Sequence, residues 1–580
     1  MKSLIRLILK KFGKKFKKVN KVKTNKKVLY VLLKENDLRT INNLRVDCFS
    51  LFPILENKSD TRIIYPDPKK TFKNSPAQVL ENEKIFEDLI SIINIYFDKS
   101  QILFIKELLK PYLDIKISIY LYLKSIIPKA DKYKLLVNGK WKNLYDINNL
   151  IIGIENIYMK EKGNINYSLA KFTNLKINLF LKLFSFLQVF LLNKILKKYS
   201  VFILSSNKSY FMPKIFTGLK NRNMNLISYS QTNKPIKCLF ILIKQFLSLI
   251  LKRKLINLEF FMIPYVGKNF INFKKKNIFN NSDLIDNNYA NLLLKDIESY
   301  INLNLGYKNY CDKLFIKSKD DNVAGIFHTN RFPDLNALSY TLSKFKFKQH
   351  LISHGTHTIQ EESEESNFIA ESLSIGMLTS NIPNIRIYSQ TTFSDNYLSN
   401  KNLNFKKIKP VNNYKYINKN DSSVLRILSA GTVKQLGARR YCFESSFEYL
   451  YSIVNLCNKI TNLEFEIELI LRVRDVKNEI DKKTKEAIAN QFKGLVKISQ
   501  NIDIKDDIAH CDCLIALSST TLEEALVSQI PSMSYGLSKY NHFDFYKSKD
   551  FQISKNLKSY SKLKKIENIL ERNFLYLTKD

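Results

Sequence analysis

Five short apolar runs decide the fold of this chain: VLRILS at 424–429, FEIELILRV at 465–473, LVKIS at 495–499, CLIAL at 513–517 and SMSY at 532–535. Runs of this length that are rich in Val, Ile and Leu are typical of strands buried in a parallel sheet. Segments with helical periodicity separate them, at 443–460, 477–492, 505–510 and 521–527. Because each parallel pair of strands needs a crossover, the alternation predicts a Rossmann-like α/β domain with helices on both faces of its sheet.

The same alternation recurs upstream. Strand-like runs at 323–328 and 349–353 flank a helix that begins at Pro333 and Asp334, and others lie at 28–33 and 201–205. We therefore expect an α/β protein with two Rossmann-like domains that face a cleft. The expected divisions are a basic arm at 1–27, an N-terminal domain at 28–400 with a helical insertion at about 150–310, a linker at 401–422 rich in Lys, Asn and Tyr, and a C-terminal domain at 423–580 that ends in a closing helix.

Positive charge dominates the composition. Of 580 residues, 93 are Lys or Arg and 53 are Asp or Glu, so the formal net charge is +40. Such a chain attracts acidic lipid, nucleic acid and phosphorylated substrates without choosing among them. No motif for binding RNA or DNA accompanies the charge, and a nucleic-acid partner is not expected.

The arm at 1–27 contains twelve Lys or Arg residues and no acid. Its apolar residues have helical spacing: Ile5, Ile8, Phe12, Phe16 and Val19. The pattern predicts either a helix lying on an anionic membrane surface or, because Gly13 weakens a helix, a disordered basic tail. The first alternative places the protein at the inner face of a cytoplasmic membrane.

Two further apolar stretches, at 183–192 and 238–251, fall short of the ~20 apolar residues that a membrane span requires. A buried helix is favoured for each of them over an interfacial helix.

The seven cysteines are scattered through a chain without a secretory signal, as in proteins of a reducing, cytoplasmic compartment. Cys511 and Cys513 have no second Cys or His pair at zinc-site spacing, so we assign them structural roles. No metal site and no cofactor is expected.

Hydroxyl residues follow the strand at 513–517, where ligands bind in open α/β sheets. Ser518, Ser519 and Thr520 precede a helix that carries Glu523 and Glu524 in its first turn. Hydroxyls and backbone amides at such a helix start form an anion site, although an ordinary capping box explains the same residues without a ligand.

The order of an acidic residue, this strand, the hydroxyl turn, a Glu-Ala-Leu helix and Pro531 before the next strand resembles the donor-nucleotide half of B-type (GT-B) glycosyltransferases. The resemblance is to bacterial capsule and surface-polysaccharide biosynthesis proteins, polysialyltransferase-like or Kdo-transferase-like, and covers about 322–540. It implies that Ser518, Ser519 and Thr520 hold donor phosphate and that Glu523 or Glu524 reaches the ribose.

Two more strand ends belong to the predicted donor site. After the strand at 424–429 come Gly431 and Thr432, with Lys434 and Arg440 able to neutralise phosphate; a plain surface loop is the alternative. Where the relatives have a Lys-Pro-His-Pro-like motif, this chain has Arg472 and Arg474. Arginine binds phosphate but stays protonated, so neither residue can act as a base.

His354 and Gly355 follow the strand at 349–353 and resemble the His-Gly pair of the acceptor-side domain in these transferases. An imidazole there is a candidate general base, with a structural histidine as the alternative. Glu361 and Glu364 are candidate bases in the acidic cluster that follows, which is otherwise interpreted as a solvated loop.

The resemblance implies a metal-independent, inverting glycosyltransferase that takes a nucleotide-sugar donor, with CMP-linked sugars among the candidates, and a glycan or glycolipid acceptor. A polyol-phosphate transferase of the CDP-glycerol type or a nucleotide-sugar epimerase is the alternative on the same fold.

Overall fold

The fold is taken from a computed structural model. It describes residues 28–33, 35–41, 46–51, 61–66, 75–161, 179–206, 212–232, 234–251, 258–264, 286–316, 323–353, 364–409, 424–431, 446–461, 463, 466–473, 482–501, 503–516, 521–528, 530 and 532–534. These residues form three mainly parallel sheets, which we call the N-terminal, middle and C-terminal sheets.

The N-terminal sheet has the order β3-β2-β1-β4-β5. Its strands are β1 Val28–Leu32, β2 Asp47–Ser50, β3 Arg62–Ile64, β4 Lys132–Val137 and β5 Lys140–Leu144. Its helices are α1 Glu35–Arg39, α2 Ser75–Ile93, α3 Lys99–Ile126 and α4 Ile147–Glu161. Only β4 and β5 pair antiparallel, through a tight turn in which Asn138 and Gly139 both have positive φ, as a two-residue hairpin requires.

The middle sheet has seven parallel strands in the order β12-β11-β10-β9-β6-β7-β8. The strands are β6 Val201–Leu204, β7 Leu226–Tyr229, β8 Leu258–Phe260, β9 Val323–Phe327, β10 Lys348–Ile352, β11 Ile385–Ser389 and β12 Phe405–Lys407. The helices are α5 Leu179–Lys198, α6 Met212–Asn221, α7 Pro235–Ile250, α8 Asn287–Phe315, α9 Pro333–Lys344, α10 Glu364–Ser374 and α11 Thr392–Asn400. As predicted, α9 begins at Pro333, whose fixed φ and missing N–H suit a first helical position.

The C-terminal sheet has the order β15-β14-β13-β16-β17, all parallel. Its strands are β13 Leu425–Gly431, β14 Ile467–Val473, β15 Val496–Ile498, β16 Cys513–Ala516 and β17 Ser532–Ser534. Its helices are α12 Ser446–Ile460, α13 Lys482–Gln491, α14 Ile504–His510 and α15 Thr521–Val527. All five strands predicted from the apolar runs are confirmed, as is the α/β class with Rossmann-like sheets.

The first two sheets share one apolar core, whereas the C-terminal sheet has its own. The shared core joins strands of both sheets through helices α3, α8 and α9. Within it Tyr120 stacks on Tyr289 with ring centroids 3.9 Å apart, and the Lys116 ammonium contacts Glu155 and Asp296. Separate clusters cover the C-terminal sheet. Because they share this apolar core, the first two sheets form one folded body.

The expected domain division differs from the structure in two places. The range 28–400 holds two sheets, and β6, β7 and β8 lie inside the expected helical insertion at about 150–310. The expected linker at 401–422 begins with β12, which pairs with β11. Its exposed Lys406 and Lys407 are typical of a protected sheet edge, and three residues are too few for a readable alternation. The arm at 1–27 and the closing helix lie outside the described residues.

Helices α5 and α7 occupy the two apolar stretches for which a buried helix was favoured, and that interpretation is wrong. The two helices pack on each other and on β8, but Phe186 and Ile236 are each 72% exposed. The pattern misled because apolar residues occur all around both helices, so the buried side could not be identified. Among the described residues, no helix combines the length and the apolar content needed to cross a membrane.

Candidate active site

The carboxyl edge of the C-terminal sheet contains the predicted donor site. The chain leaves β13 toward β14 on one side, and β16 returns on the other, so the strand order reverses between β13 and β16. Ser429 of β13 pairs with Ile515 of β16 in parallel register. Because parallel strands end at the same edge, Gly431 and the end of β16 at Ala516 lie side by side there.

Gly431 is the last residue of β13, and the ring of Tyr449 in α12 lies directly over it. A Cβ at Gly431 would be 2.7 Å from the Tyr449 ring, which is closer than side chains tolerate. The Tyr449 hydroxyl is 3.2 Å from the Ser429 Oγ and fixes the ring there. Close packing thus explains the glycine, and its part in donor binding stays a prediction.

Arg472 extends from β14 into a polar network inside the domain. Its guanidinium contacts the carboxylate of Asp507, which is 3% exposed, and donates to the Asn501 carbonyl at 2.8 Å. Ser499 Oγ and Asn501 Nδ2 also donate to Asp507, at 2.6 and 2.7 Å. The network ties β14 to α14, so the described contacts give Arg472 a structural role, and donor binding by this side chain stays a prediction.

The remaining predicted donor residues are described partly or not at all. Glu524 is half-buried in α15, and its backbone carbonyl accepts from Ser528 Oγ at 2.6 Å. Glu523 lies on the same short helix, of whose side chains only some are described. The others lie outside the described residues: Thr432, Lys434, Arg440, Arg474, Ser518, Ser519 and Thr520.

A second switch point lies in the middle sheet, between β6 and β9, and it carries a pair that sequence reasoning missed. Ser205 follows β6 and His328 follows β9, with the Ser205 Oγ 2.8 Å from the His328 Nδ1. The His328 backbone N–H also donates to that Oγ at 3.3 Å. Both residues are buried. The sequence placed His328 at a strand end, but only the strand order shows that Ser205, 123 positions away, meets it.

Burial controls the protonation of this histidine. Removal from water lowers the pKa of His328 to about 4, because the charged imidazolium loses its hydration. The ring is therefore neutral at pH 7 and offers one donor and one acceptor nitrogen. A base with so low a pKa accepts a proton poorly, so His328 is better suited to holding a polar group in place than to removing its proton.

Tyr229 and Asp334 form a second buried pair beside the first. Tyr229 ends β7, next to β6, and its hydroxyl donates to Asp334 Oδ2 at 2.7 Å. Asp334 lies in the first turn of α9, where the helix dipole favours a carboxylate, while burial raises its pKa. The described part of this edge therefore presents polar groups on three neighbouring strand ends.

The strand that precedes His354 in the sequence ends at the same edge. Ser353 follows β10, the neighbour of β9, and its carbonyl accepts from the Gln390 amide, which follows β11. The next residue, His354, lies outside the described residues, as does Glu361. Glu364 begins α10, but its side chain is not described. Thr391 caps α11 by accepting from the Ser394 N–H.

A buried carboxyl from a helix of the N-terminal sheet contacts the segment between α10 and β11. Glu107 of α3 accepts from the Asn381 N–H at 2.6 Å and from Ser380 Oγ at 2.9 Å. Burial raises the pKa of Glu107 to about 7. The only sequence signal was an acid within an apolar helical pattern, which did not identify its partners more than 270 positions away.

Comparison with known proteins gives low similarities. No protein-family model and no curated protein matches the chain. A protein from Listeria monocytogenes assigned as a UDP-N-acetylglucosamine 2-epimerase is 8% identical, with a TM-score of 0.32, over 57% of this chain and 77% of that one. The glycosyltransferase SsfS6 from Streptomyces sp. SF2575 is 9% identical, with a TM-score of 0.29, over 58% and 81%. The wall teichoic acid polymerase TagF is 10% identical, with a TM-score of 0.28, over 74% and 90%.

Proposed function

We propose that the chain is a glycosyltransferase that moves a sugar from a nucleotide-activated donor to a growing bacterial surface glycan. The main support is that the middle and C-terminal sheets both have the Rossmann strand order, and each has a switch point flanked by glycine, hydroxyl or imidazole residues. Ligands bind at such points in open α/β sheets. The N-terminal sheet reverses its order in the same way, between β1 and β4. We assign the nucleotide to the C-terminal switch point and the acceptor to the middle one, across a cleft of the GT-B type.

The C-terminal edge is the proposed donor site. Amides and hydroxyls of Ser518, Ser519 and Thr520 bind the phosphates, and Gly431 with Thr432 lets them approach the backbone closely. Basic side chains neutralise the leaving phosphate without a metal: Lys434, Arg440, Arg472 and Arg474. Glu523 or Glu524 accepts hydrogen bonds from the ribose hydroxyls.

The middle edge is the proposed acceptor site. His354, or Glu361 or Glu364 in its place, removes the proton of the acceptor hydroxyl as its oxygen attacks the anomeric carbon. The bond from that carbon to the donor phosphate breaks on the opposite face, so the configuration inverts. The acceptor is a glycan or glycolipid at the inner face of the cytoplasmic membrane, to which the arm at 1–27 adds electrostatic attraction.

Nucleotide binding by paired serine variants tests the donor site. We expect CMP, CDP or UDP to bind the native chain, and Ser518→Ala with Ser519→Ala to weaken that binding at least about tenfold, because each lost hydrogen bond to a charged phosphate costs on the order of 1.5–3 kcal/mol. The matched control is Ser422→Ala with Ser423→Ala, another adjacent pair at the start of the same domain. Equal affinities in calorimetry for both double variants would remove the main support for a donor site here.

A donor panel then separates the reactions. Incubation with CMP-, CDP- and UDP-linked donors, followed by product mass, reports a transferred sugar if the proposal holds. A transferred glycerol phosphate identifies the polyol-phosphate transferase instead, and a donor converted without an acceptor identifies the epimerase.

A further inference from the structure

Helices α5 and α7 carry an apolar surface that the core does not cover. Side by side, they present exposed Phe, Leu and Ile side chains from 180–190 and from 236–250, which we call the α5–α7 face. Its most prominent members are between 53% and 72% exposed: Phe180, Phe186, Phe190, Ile236, Phe240 and Phe246. A contiguous apolar surface of this kind on a folded protein marks an interaction site.

Buried glutamines fix the rotation of both helices and so direct the apolar side outward. Gln188 of α5 donates to the Phe261 carbonyl at 2.6 Å and accepts from the Phe261 N–H at 3.0 Å. Gln245 of α7 donates to the Glu259 carbonyl at 2.8 Å. Turning either helix to bury its phenylalanines would break these bonds and leave buried amide groups unsatisfied. The exposure is therefore built into the fold.

The charge on these helices has one sign. Neither 179–198 nor 235–250 contains an acid, and lysines accompany the apolar residues at Lys182, Lys194, Lys197, Lys198, Lys237 and Lys244. The Lys194 ammonium lies 4.3 Å from the centroid of the Phe190 ring. Lysines whose stems lie along apolar side chains while their ammonium groups reach outward are typical of a surface in contact with lipid headgroups.

We propose that the α5–α7 face docks on the surface of a bilayer that contains anionic lipids. Protein interfaces are depleted in lysine, which argues against a second copy of the chain as the occupant. Phenylalanine and leucine insert at the acyl boundary, and each nearby lysine is attracted to anionic headgroups. The helices lie in the plane of the membrane surface and do not cross it.

The fold also gives the orientation of the docked protein. α5 leads into β6 and α7 follows β7, so both helices run antiparallel to these strands and begin at the carboxyl edge of the middle sheet. The Phe180 and Ile236 end of the face therefore lies on the side of the molecule where Ser205 meets His328. The proposal rests on the fold and does not require the proposed transferase activity.

Vesicle binding by the full chain tests the proposal. We expect cosedimentation with vesicles of phosphatidylcholine and phosphatidylglycerol, and weaker binding to phosphatidylcholine alone. Replacing Phe186, Phe190, Phe240 and Phe246 by Gln should reduce the affinity for the anionic vesicles by more than about 100-fold, because each buried aromatic ring contributes to partition. The matched control replaces Ile95, Tyr96, Leu103 and Tyr145 by Gln, four exposed residues on the elements of the N-terminal sheet that should leave binding unchanged.

Circular dichroism and nucleotide calorimetry on both quadruple variants separate failure of this proposal from misfolding and from failure of the proposed function. Native binding that survives in the folded α5–α7 variant would overturn the proposal and assign attachment to the arm at 1–27. A concentration-dependent dimer in sedimentation velocity that only this variant abolishes, with no vesicle binding, would overturn it in favour of a second copy.

Fluorescence adds a test of depth. The chain has one tryptophan, Trp141 of β5, which packs on Tyr30 in the N-terminal sheet. With Trp141→Phe as background, Phe240→Trp should be quenched by brominated lipid, whereas the native chain should not be. Equal quenching in the two proteins would contradict the proposed orientation.

Discussion

The middle and C-terminal sheets reverse strand order in the same way, yet the residues at their switch points are held differently. In the middle sheet Ser205 and His328 are buried and bonded to each other. In the C-terminal sheet β13 ends on Gly431 under the Tyr449 ring, and the sequence has three hydroxyl residues after β16. A fixed polar pair suits positioning of a reacting group, whereas glycine and hydroxyls suit close contact with phosphate. We therefore expect the middle edge to position the acceptor and the C-terminal edge to bind the donor phosphates.

The largest effect is expected from His354→Ala at the middle edge. Loss of the proposed base should lower kcat by about 10²–10⁴-fold and leave nucleotide Kd unchanged, because the proposed donor site is at the other sheet. His510→Ala is the control, since its ring contacts only the Asp506 carbonyl among the described contacts of α14. Transfer assays and calorimetry check both quantities. A variant with native kcat would assign the base to Glu361 or Glu364 instead.

Next in size is Arg472→Gln at the C-terminal edge. Because the buried Asp507 would lose its cation, we expect the free energy of unfolding of the domain built on the C-terminal sheet to fall by about 3 kcal/mol, as measured by urea denaturation. Lys497→Gln removes an exposed ion pair on the neighbouring strand and should cost less than about 1 kcal/mol. Unchanged stability would remove the structural role, and unchanged nucleotide binding would remove Arg472 from the proposed donor site.

Gly431→Ala tests whether the glycine is needed for packing against the Tyr449 ring or for close contact with the nucleotide. The added Cβ should destabilise the C-terminal unit by about 2 kcal/mol, because it meets the Tyr449 ring. In a Tyr449→Ala background the same substitution should cost almost nothing. If nucleotide affinity still falls in the double variant, the glycine serves the ligand as well as the ring; full recovery of affinity would limit its role to packing.

The smallest effect is a pH dependence confined to the body formed by the first two sheets. Since the pKa of Glu107 is raised to about 7, the folded state keeps its proton to higher pH than the unfolded state does. The contribution of this proton to the free energy of unfolding is fully present below pH 4.5 and is lost as pH rises through 7. About 1 kcal/mol of it is lost between pH 6 and 7. Glu107→Gln should abolish this decrease of the free energy of unfolding with pH. His328 contributes a change of opposite sign, which is the same in the native chain and the variant and therefore cancels when the two are compared. If the free energy of unfolding depends on pH in the same way in both proteins, the pH dependence does not come from Glu107.

The sequence predicted the C-terminal sheet well because its strands are apolar runs bounded by turn residues and separated by helices. It predicted only part of the upstream region, because β2 and β3 are too short to show a period and the choice of partner strands depends on contacts far apart in the chain. The contact between Ser205 and His328 was not predicted for the same reason, since the two residues are 123 positions apart in the sequence. For α5 and α7 the buried side could not be predicted for a different reason. Two buried glutamines determine which side faces the core, and a pattern of apolar residues does not identify them.

Hydrogen–deuterium exchange of the full chain with and without a saturating nucleotide tests most directly whether the C-terminal edge is the donor site. We expect slowed exchange in peptides that cover 425–436 and 513–527, with little change at 201–212 and 323–335. Protection at the Ser205 and His328 edge alone, or at neither edge, would contradict the assignment.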